Sequence, residues 1–150
     1  MQTVEPLSVV QKTVFLLQAD VFKDLATDEV ALIAAKTQEV RFEVGQVTDM
    51  RSPESRNFYL ILEGAIEFHS HDVALGRAGQ GEGVGLSGLL GIDAERLTFR
   101  VVEPTHALLL SPEDFEQAVA DYPALALALI RSLGTALVRL AQRIEVLEKA

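Results

Sequence analysis

The segment 58-FYLILEGAIEF-68 decides the fold that this sequence predicts. Residues 58–62 form an unbroken apolar run, Glu63-Gly64 follows, and Ile66 and Phe68 then alternate with a charged residue. Alternation at a period of two is typical of a strand with one buried face, and glycine is typical of a turn. The segment therefore predicts two buried strands joined by a turn at Glu63-Gly64.

Similar strand signals lie on both sides of this segment. Upstream, Val40, Phe42 and Val44 alternate with charged residues, Gly45 turns the chain, and Val47 resumes the pattern. Downstream, strands are predicted at residues 73–75, 97–102 and 106–110. Many short strands at regular spacing are typical of an antiparallel sandwich or barrel.

Helices are predicted at both ends of the chain. An apolar stripe predicts a short helix over residues 6–18, and Thr27 is placed to cap a second helix. Ser111-Pro112 marks the start of a third helix, with serine as its cap and proline at its first position. Pro123 is predicted to begin the last helix, which runs to the C-terminus. We therefore expect a single α+β domain with N-terminal helices in residues 1–37, strands in 38–111 and helices in 112–150.

Composition excludes several classes of function. The 150-residue chain has a net charge of −9, no cysteine and a hydrophobic fraction of 49%. The lack of cysteine excludes disulfides and thiolate metal sites, and the acidic balance argues against a nucleic-acid partner, which needs clustered Lys and Arg. Residues 1–7 lack the positive charge of a secretory signal, and the longest apolar run, residues 124–130, is too short to span a membrane. We expect a cytoplasmic protein without membrane or nucleic-acid partners.

Seven of the ten glycines fall between Gly76 and Gly91. Glycine is used where the backbone takes positive φ or lies against a ligand, so this stretch is the candidate for a small, anionic ligand. Residues 83–88 match the GxGxxG pattern, but the predicted strands are antiparallel, and a dinucleotide site needs a parallel sheet. The glycines thus predict a ligand loop of another kind.

No catalytic or metal-binding pattern stands out. Ser87 has Gly85 two residues before it, but position 89 is leucine, so the GxSxG pattern of a nucleophile elbow fails. His69 and His71 alternate beside Asp72, while the third histidine, His106, is distant in sequence, and a metal site needs more ligands. We expect a protein that is not an enzyme and that uses no metal.

The last helix carries a heptad seam, with apolar residues at spacings of 3, 4, 3, 4 and 3. Isoleucine at two of the a positions and leucine at every d position favour a parallel two-stranded coiled coil, so the seam predicts a homodimer. In this register Arg143 and Glu148 pair between chains. The alternative is that the stripe packs on the barrel of its own chain. The predicted interface residues are Ile130, Leu133, Leu137, Leu140, Arg143, Ile144, Leu147 and Glu148.

Three segments together resemble the cyclic nucleotide-binding domain of catabolite activator proteins, regulatory kinase subunits and gated channels. These are Phe42-x-x-Gly45-x-Val47 with residues 59–66, residues 98–115, and the long closing helix. The resemblance covers nearly the whole chain. It implies a β jelly roll of the double-stranded β-helix type, flanked by N-terminal helices and closed by a long C-terminal helix.

In that family a phosphate-binding cassette holds the ligand: a glutamate takes the ribose hydroxyl, and an arginine pairs with the cyclic phosphate. The cassette of this chain is placed at residues 81–98. Aligned without gaps, the family glycine is kept as Gly85, the glutamate is replaced by Leu86, and the arginine is replaced by Glu95. Losing a bidentate arginine contact forfeits roughly 1.5–3 kcal/mol. A one-residue slip would instead bring Arg96 to the phosphate. The candidate ligand residues are Gly85, Leu86, Ser87, Gly88, Arg96 and Thr98.

The resemblance implies a regulatory domain without a cofactor, with cAMP or cGMP as the ligands to test and weak or non-standard binding expected. The alternative is a protein-interaction or dimerisation module that has lost its ligand. Relatives that regulate transcription continue into a helix-turn-helix domain, and no such segment follows the closing helix here, so direct DNA recognition is not expected. An enzyme of the cupin class is disfavoured because its clustered metal ligands are missing.

Overall fold

The computed structural model describes residues 6–49, 56–91 and 97–149. Within these residues the chain forms five helices and six strands. Two helices come first, six strands with one short helix among them follow, and two helices close the chain. The elements are α1 (Val9–Leu16), α2 (Thr27–Ala34), β1 (Gln38–Phe42), β2 (Val47–Asp49), β3 (Phe58–Ser70), β4 (Val73–Ala78), β5 (Gly83–Val84), α3 (Leu86–Leu89), β6 (Leu97–Leu110), α4 (Pro112–Asp121) and α5 (Pro123–Glu148).

Two long strands, β3 and β6, pair along their whole length and organise the roll. Near the helices, β1 pairs with β6 and β5 pairs with β3, and we call these four paired segments the base sheet. At the other end, β2 pairs with β6 and β4 pairs with β3, and we call these four paired segments the tip sheet. All of these pairings are antiparallel, as a jelly roll requires, so the predicted fold class is confirmed.

The predicted turn at Glu63-Gly64 is wrong, because β3 runs through it as one strand. The register with β6 shifts on both sides of Glu63, so the segment is an irregular bend between the base and tip sheets. Gly64 has φ +105°, and a Cβ there would lie 2.4 Å from the Pro104 carbonyl oxygen. A bend of this kind needs glycine for both reasons.

The two strands predicted at residues 97–102 and 106–110 are likewise one strand, β6. Ala65 pairs with Glu103 and Ile66 with Val101, so β6 absorbs one extra residue as a bulge and continues. Thr105 is 3% exposed, and its hydroxyl donates to the Glu103 carbonyl at 2.8 Å, which satisfies a polar group that the bulge leaves in the interior.

The starts of α4 and α5 follow the sequence signals, whereas the helix predicted over residues 6–18 is shorter, at Val9–Leu16, and the start of α2 differs. The Ser111 hydroxyl accepts from the Asp114 amide at 3.1 Å, and Pro123 begins α5, as predicted. Thr27 is not the cap of α2: it is the first helical residue, and Ala26 precedes it. The Glu29 carboxylate accepts from the Ala26 amide at 3.0 Å, which satisfies a donor at this helix end without a capping side chain.

Alternate residues of β3 serve two separate cores. Phe58, Leu60 and Leu62 face the helices and form the helix-side core with Phe22, Ile33 and others. Tyr59, Ile61 and Ile66 face the opposite way and form the roll interior. The remaining buried residues of the roll interior are Ala78, Val84, Val101 and Ala107.

Candidate functional site

The glycine-rich cassette passes close beneath β3. β5 pairs with Tyr59 and Leu60, and α3 follows directly after Gly85. Gly85 has φ +89°, and a Cβ there would lie 2.3 Å from the Asn57 carbonyl oxygen. No other residue fits this position without moving the backbone. The sequence-based expectation that glycine here permits positive φ and close backbone approach is met at Gly85.

Leu86, the first residue of α3, faces away from the roll interior. It packs against the helix-side core and lines a groove of about 480 Å³ between the cassette and the loop after α1. Gln18, Asp20 and Glu82 form part of the rim of this groove. Leu86 therefore joins the cassette to the helical layer by apolar contact.

Of the other candidate ligand residues, the described ones lie on two different elements, α3 and β6. Ser87 and Gly88 are half-buried on α3. Thr98 lies on the outer face of the tip sheet, because its neighbour Phe99 packs inward against the roll interior. Arg96 and Glu95 lie outside the described residues, so the proposed slip at the phosphate position stays a prediction.

Two aromatic pairs line the roll interior. Phe42 and Tyr59 meet edge to face with ring centroids 5.3 Å apart, and Phe68 and Phe99 do the same at 5.4 Å. The Asn57 side-chain amide donates to the Tyr59 hydroxyl at 3.3 Å. Aromatic and aliphatic side chains thus dominate the interior of the roll.

Charged side chains of the tip sheet lie on its outer face. Arg100 of β6, Glu67 of β3 and Arg77 of β4 follow one another across the strands. Arg77 also pairs with Glu103, with the guanidinium and carboxylate 3.1 Å apart. The outer face is therefore polar and the inner face apolar, as alternation predicts.

The histidines take structural positions. His71 and Asp72 form the two-residue turn between β3 and β4, both at positive φ. His69 Nε2 lies 2.5 Å from Glu67 Oε1. His106 Nε2 lies 3.0 Å from Glu39 Oε1, and the other oxygen of Glu39 accepts from the Leu7 amide. Within residues 6–49, 56–91 and 97–149, no group of three or more His, Asp or Glu is placed to hold a metal ion.

The long helix α5 is half anchored and half projecting. Residues 123–133, the anchored half, bury Leu125 and Leu129 in the helix-side core. Ser132 is 4% exposed, and its hydroxyl donates a hydrogen bond to the Val21 carbonyl at 2.7 Å. Every described residue from Gly134 onward is exposed, and we call residues 134–148 the projecting half.

The heptad seam is uncovered in the single chain. Its exposed fractions are 63% for Ile130, 67% for Leu137, 54% for Leu140, 48% for Ile144 and 74% for Leu147, while Leu133 is half-buried. Arg143 and Glu148 are exposed as well. The alternative that this stripe packs on the roll of its own chain is therefore wrong.

By length and composition α5 is also apolar enough to cross a membrane. Its 26 residues include an 18-residue window of mean hydropathy 1.6, of which 17% is buried. The longest unbroken apolar run of the sequence is shorter than this window, because Arg131, Ser132 and Gly134 interrupt the apolar residues of α5. One helix that passes this test of length and composition is weak evidence for a membrane span.

No protein-family model matches this sequence, and a search of the curated proteins found no significant match. Solved structures do match. The N-terminal domain of a transcriptional regulator from Streptomyces coelicolor A3(2) superposes with a TM-score of 0.72 at 21% identity, over 83% of this chain and 94% of that one. The catabolite activator protein of Thermus thermophilus has a TM-score of 0.65 at 24% identity, over 86% of this chain and 63% of that one.

A third similar structure is the regulatory subunit of a cAMP-independent protein kinase A from Trypanosoma cruzi, bound to guanosine. It has a TM-score of 0.66 at 17% identity, over 79% of this chain and 42% of that one. This chain therefore matches nearly all of one neighbour and about half of the others. With its antiparallel roll and long closing helix, the chain has the fold of the cyclic nucleotide-binding domains.

Proposed function

We propose that this chain is a non-enzymatic regulatory domain that senses a small ligand between its cassette and its roll. The observation that carries the proposal is the cassette backbone. Gly85 holds α3 beneath β3 in a conformation that only glycine adopts, although the polar side chains expected there are replaced. The solved structures of this fold include regulators of transcription and of a protein kinase, which supports a regulatory role.

Ligand binding in this domain differs from that of a standard cyclic nucleotide site. Leu86 faces the helix-side core, so it offers no polar contact to a sugar. Glu95 stands where the ungapped alignment expects the phosphate-binding arginine. We expect weak binding of cAMP and cGMP for these two reasons. The Trypanosoma cruzi neighbour is bound to guanosine, which supports testing nucleosides without a phosphate.

The output element is α5, and its partner is a second copy of the same chain. A two-stranded coil would cover Leu137, Leu140 and Ile144, which are about half exposed or more in the single chain. A parallel arrangement pairs Arg143 of one copy with Glu148 of the other, at the g and e positions that flank the seam. Regular heptad spacing and a dimer-type choice of residues at a and d favour this partner over a lipid bilayer.

The second candidate function is a dimerisation module without a ligand. It is favoured by the same exposed seam together with the replaced cassette side chains. Both candidate functions include the dimer. They differ in whether a ligand binds at the cassette.

Titration of the purified chain separates the two candidates. Thermal unfolding and calorimetry are measured with cAMP, cGMP, adenosine and guanosine up to millimolar concentration. The sensing proposal expects one of these compounds to raise the unfolding temperature in a saturable manner. The absence of stabilisation by all four compounds contradicts it for this ligand class and favours the module. Sedimentation of the same samples measures the dimer independently of any ligand.

A further inference from the structure

We propose, building on the sensing function above, that the inner face of the tip sheet selects an uncharged aromatic ring, and that Phe68, Phe99 and Thr48 recognise it. The ligand class that follows is a neutral heteroaromatic compound, of which a nucleoside is one example. The proposal stands on the register, exposure and charge of one row of residues.

The row crosses all four strands of the tip sheet. Thr48 of β2 pairs with Phe99 of β6, Phe99 pairs with Phe68 of β3, and Phe68 pairs with Gly76 of β4. Directly opposed residues of antiparallel strands present their side chains on the same face. Because both phenylalanines pack against the roll interior, the whole row lies on the inner face. It offers a hydroxyl, two rings and a bare stretch of backbone.

The two rings are incompletely covered. Phe68 and Phe99 are half-buried, although they line the interior of the roll. A Cβ at Gly76 would stand 3.9 Å from the Phe68 ring, in ordinary contact, so glycine leaves the edge of that ring open. Aromatic surface that is left partly exposed is stabilised when another ring stacks on it or meets it edge to face.

The charge distribution selects against an anion at this row. No ionisable side chain belongs to it, and the neighbouring Arg100, Glu67 and Arg77 point to the outer face. A phosphate placed on the inner face would lose hydrating water, and the described part of the sheet offers it no cation there. Burying that unpaired charge costs free energy. A neutral ring avoids this cost.

Thr48 supplies the polar contact. It is half-buried on the inner face of the sheet. A hydroxyl both donates and accepts, so it can pair with a ring nitrogen or a carbonyl group of the ligand. This contact favours a heteroaromatic ring over a plain hydrocarbon.

The test compares matched compounds on the intact chain. Adenosine and guanosine are each measured against their 3′,5′-cyclic monophosphates, with affinities taken from NMR titration of protein labelled at phenylalanine. The nucleoside is expected to bind more tightly than its cyclic monophosphate. Phe68→Leu and Phe99→Leu are each expected to weaken nucleoside binding about tenfold, and Thr48→Val by about threefold.

Phe115→Leu is the matched control, because Phe115 packs on the helix-side core and not in the roll. Phe99→Tyr keeps the ring and should keep binding. If the leucine variants fail to fold, Gly76→Val tests the same row, since it covers the Phe68 ring edge without removing a core residue.

The outcomes separate this inference from the sensing function. One outcome is nucleoside binding that is unchanged in all three variants, Phe68→Leu, Phe99→Leu and Gly76→Val. That result would overturn ring recognition by the tip sheet but not ligand sensing. Equal or tighter binding of the cyclic monophosphates would overturn the selection against charge, again without touching ligand sensing. If none of the four compounds binds, both proposals fail and the dimerisation module remains.

Discussion

The two halves of α5 have similar apolar composition and opposite surroundings. In the anchored half, Leu125 is 1% exposed and Leu129 is 6% exposed. In the projecting half, Leu140 is 54% exposed and Leu147 is 74% exposed, so the described part of the single chain leaves both largely uncovered. Apolar character alone therefore does not decide burial: the first half is covered by its own domain, and the second half is left exposed.

The largest effect is expected from removing an anchor. Leu125→Ala should lower the free energy of unfolding by about 2–5 kcal/mol, because it removes buried methyl groups and leaves a cavity in the helix-side core. Leu147→Ala should change it by less than about 0.5 kcal/mol in the monomer. Chemical denaturation at low protein concentration measures both, and equal losses would show that the two halves are not distinct.

The next largest effect concerns the seam. Leu140→Asp should weaken the dimer about a hundredfold, because a carboxylate would be buried at a d position in each copy. The matched control is Val138→Asp, which is 57% exposed in the monomer but lies outside the a and d positions. Sedimentation equilibrium measures the change. A dimer that tolerates the Leu140 variant would place the interface elsewhere.

A smaller effect is expected at the hydrogen bond between Ser132 of α5 and Val21 in the N-terminal part of the chain. Ser132→Ala should cost about 1–2 kcal/mol, since it leaves the Val21 carbonyl without its buried partner. Thr135→Ala serves as control: its hydroxyl bonds to the Arg131 carbonyl one turn earlier and is exposed. If both variants lose the same stability, the contact to Val21 does not anchor the helix.

The smallest effect is expected where the two halves meet. A Cβ added at Gly134 would meet no atom within 4 Å outside the backbone of its own helix, so Gly134→Ala should stabilise the helix by about 0.5–1 kcal/mol. Gly85→Ala is the opposite case, because its φ is +89° and the Asn57 carbonyl blocks the added carbon. The unfolding temperature should rise for the first variant and fall for the second. A destabilised Gly134 variant would mean that this position needs glycine for packing in the dimer.

Much of the fold followed from local patterns. Ser111-Pro112 and Pro123 mark the starts of α4 and α5 because caps and first-turn prolines act within a few residues. The strands of the roll followed from alternation. The pattern failed at Glu63-Gly64, because a turn and a bend inside a strand use the same residue types. Only the shape of the neighbouring strand at Pro104 and Thr105 distinguishes them.

The candidate site was less predictable. Gly85 has the positive-φ backbone that its glycine predicts, while the cassette as a ligand site stays a prediction. The directions of Leu86 and Thr98 could not be predicted, since each depends on which face of the sheet or of α3 meets another layer. The row formed by Thr48, Phe99, Phe68 and Gly76 was missed. Its members are far apart in sequence and meet only through strand pairing.

The amino-acid sequence by itself determined the periodicities, the caps, the glycine positions and the heptad spacing, because each of these depends on neighbours within one or two turns of chain. The tertiary structure decided what covers each face. It placed the anchored half of α5 against the domain and left the projecting half open, and it turned rings toward the roll interior and charges away from it. Burial is a property of pairs of distant surfaces, so no local pattern contains it.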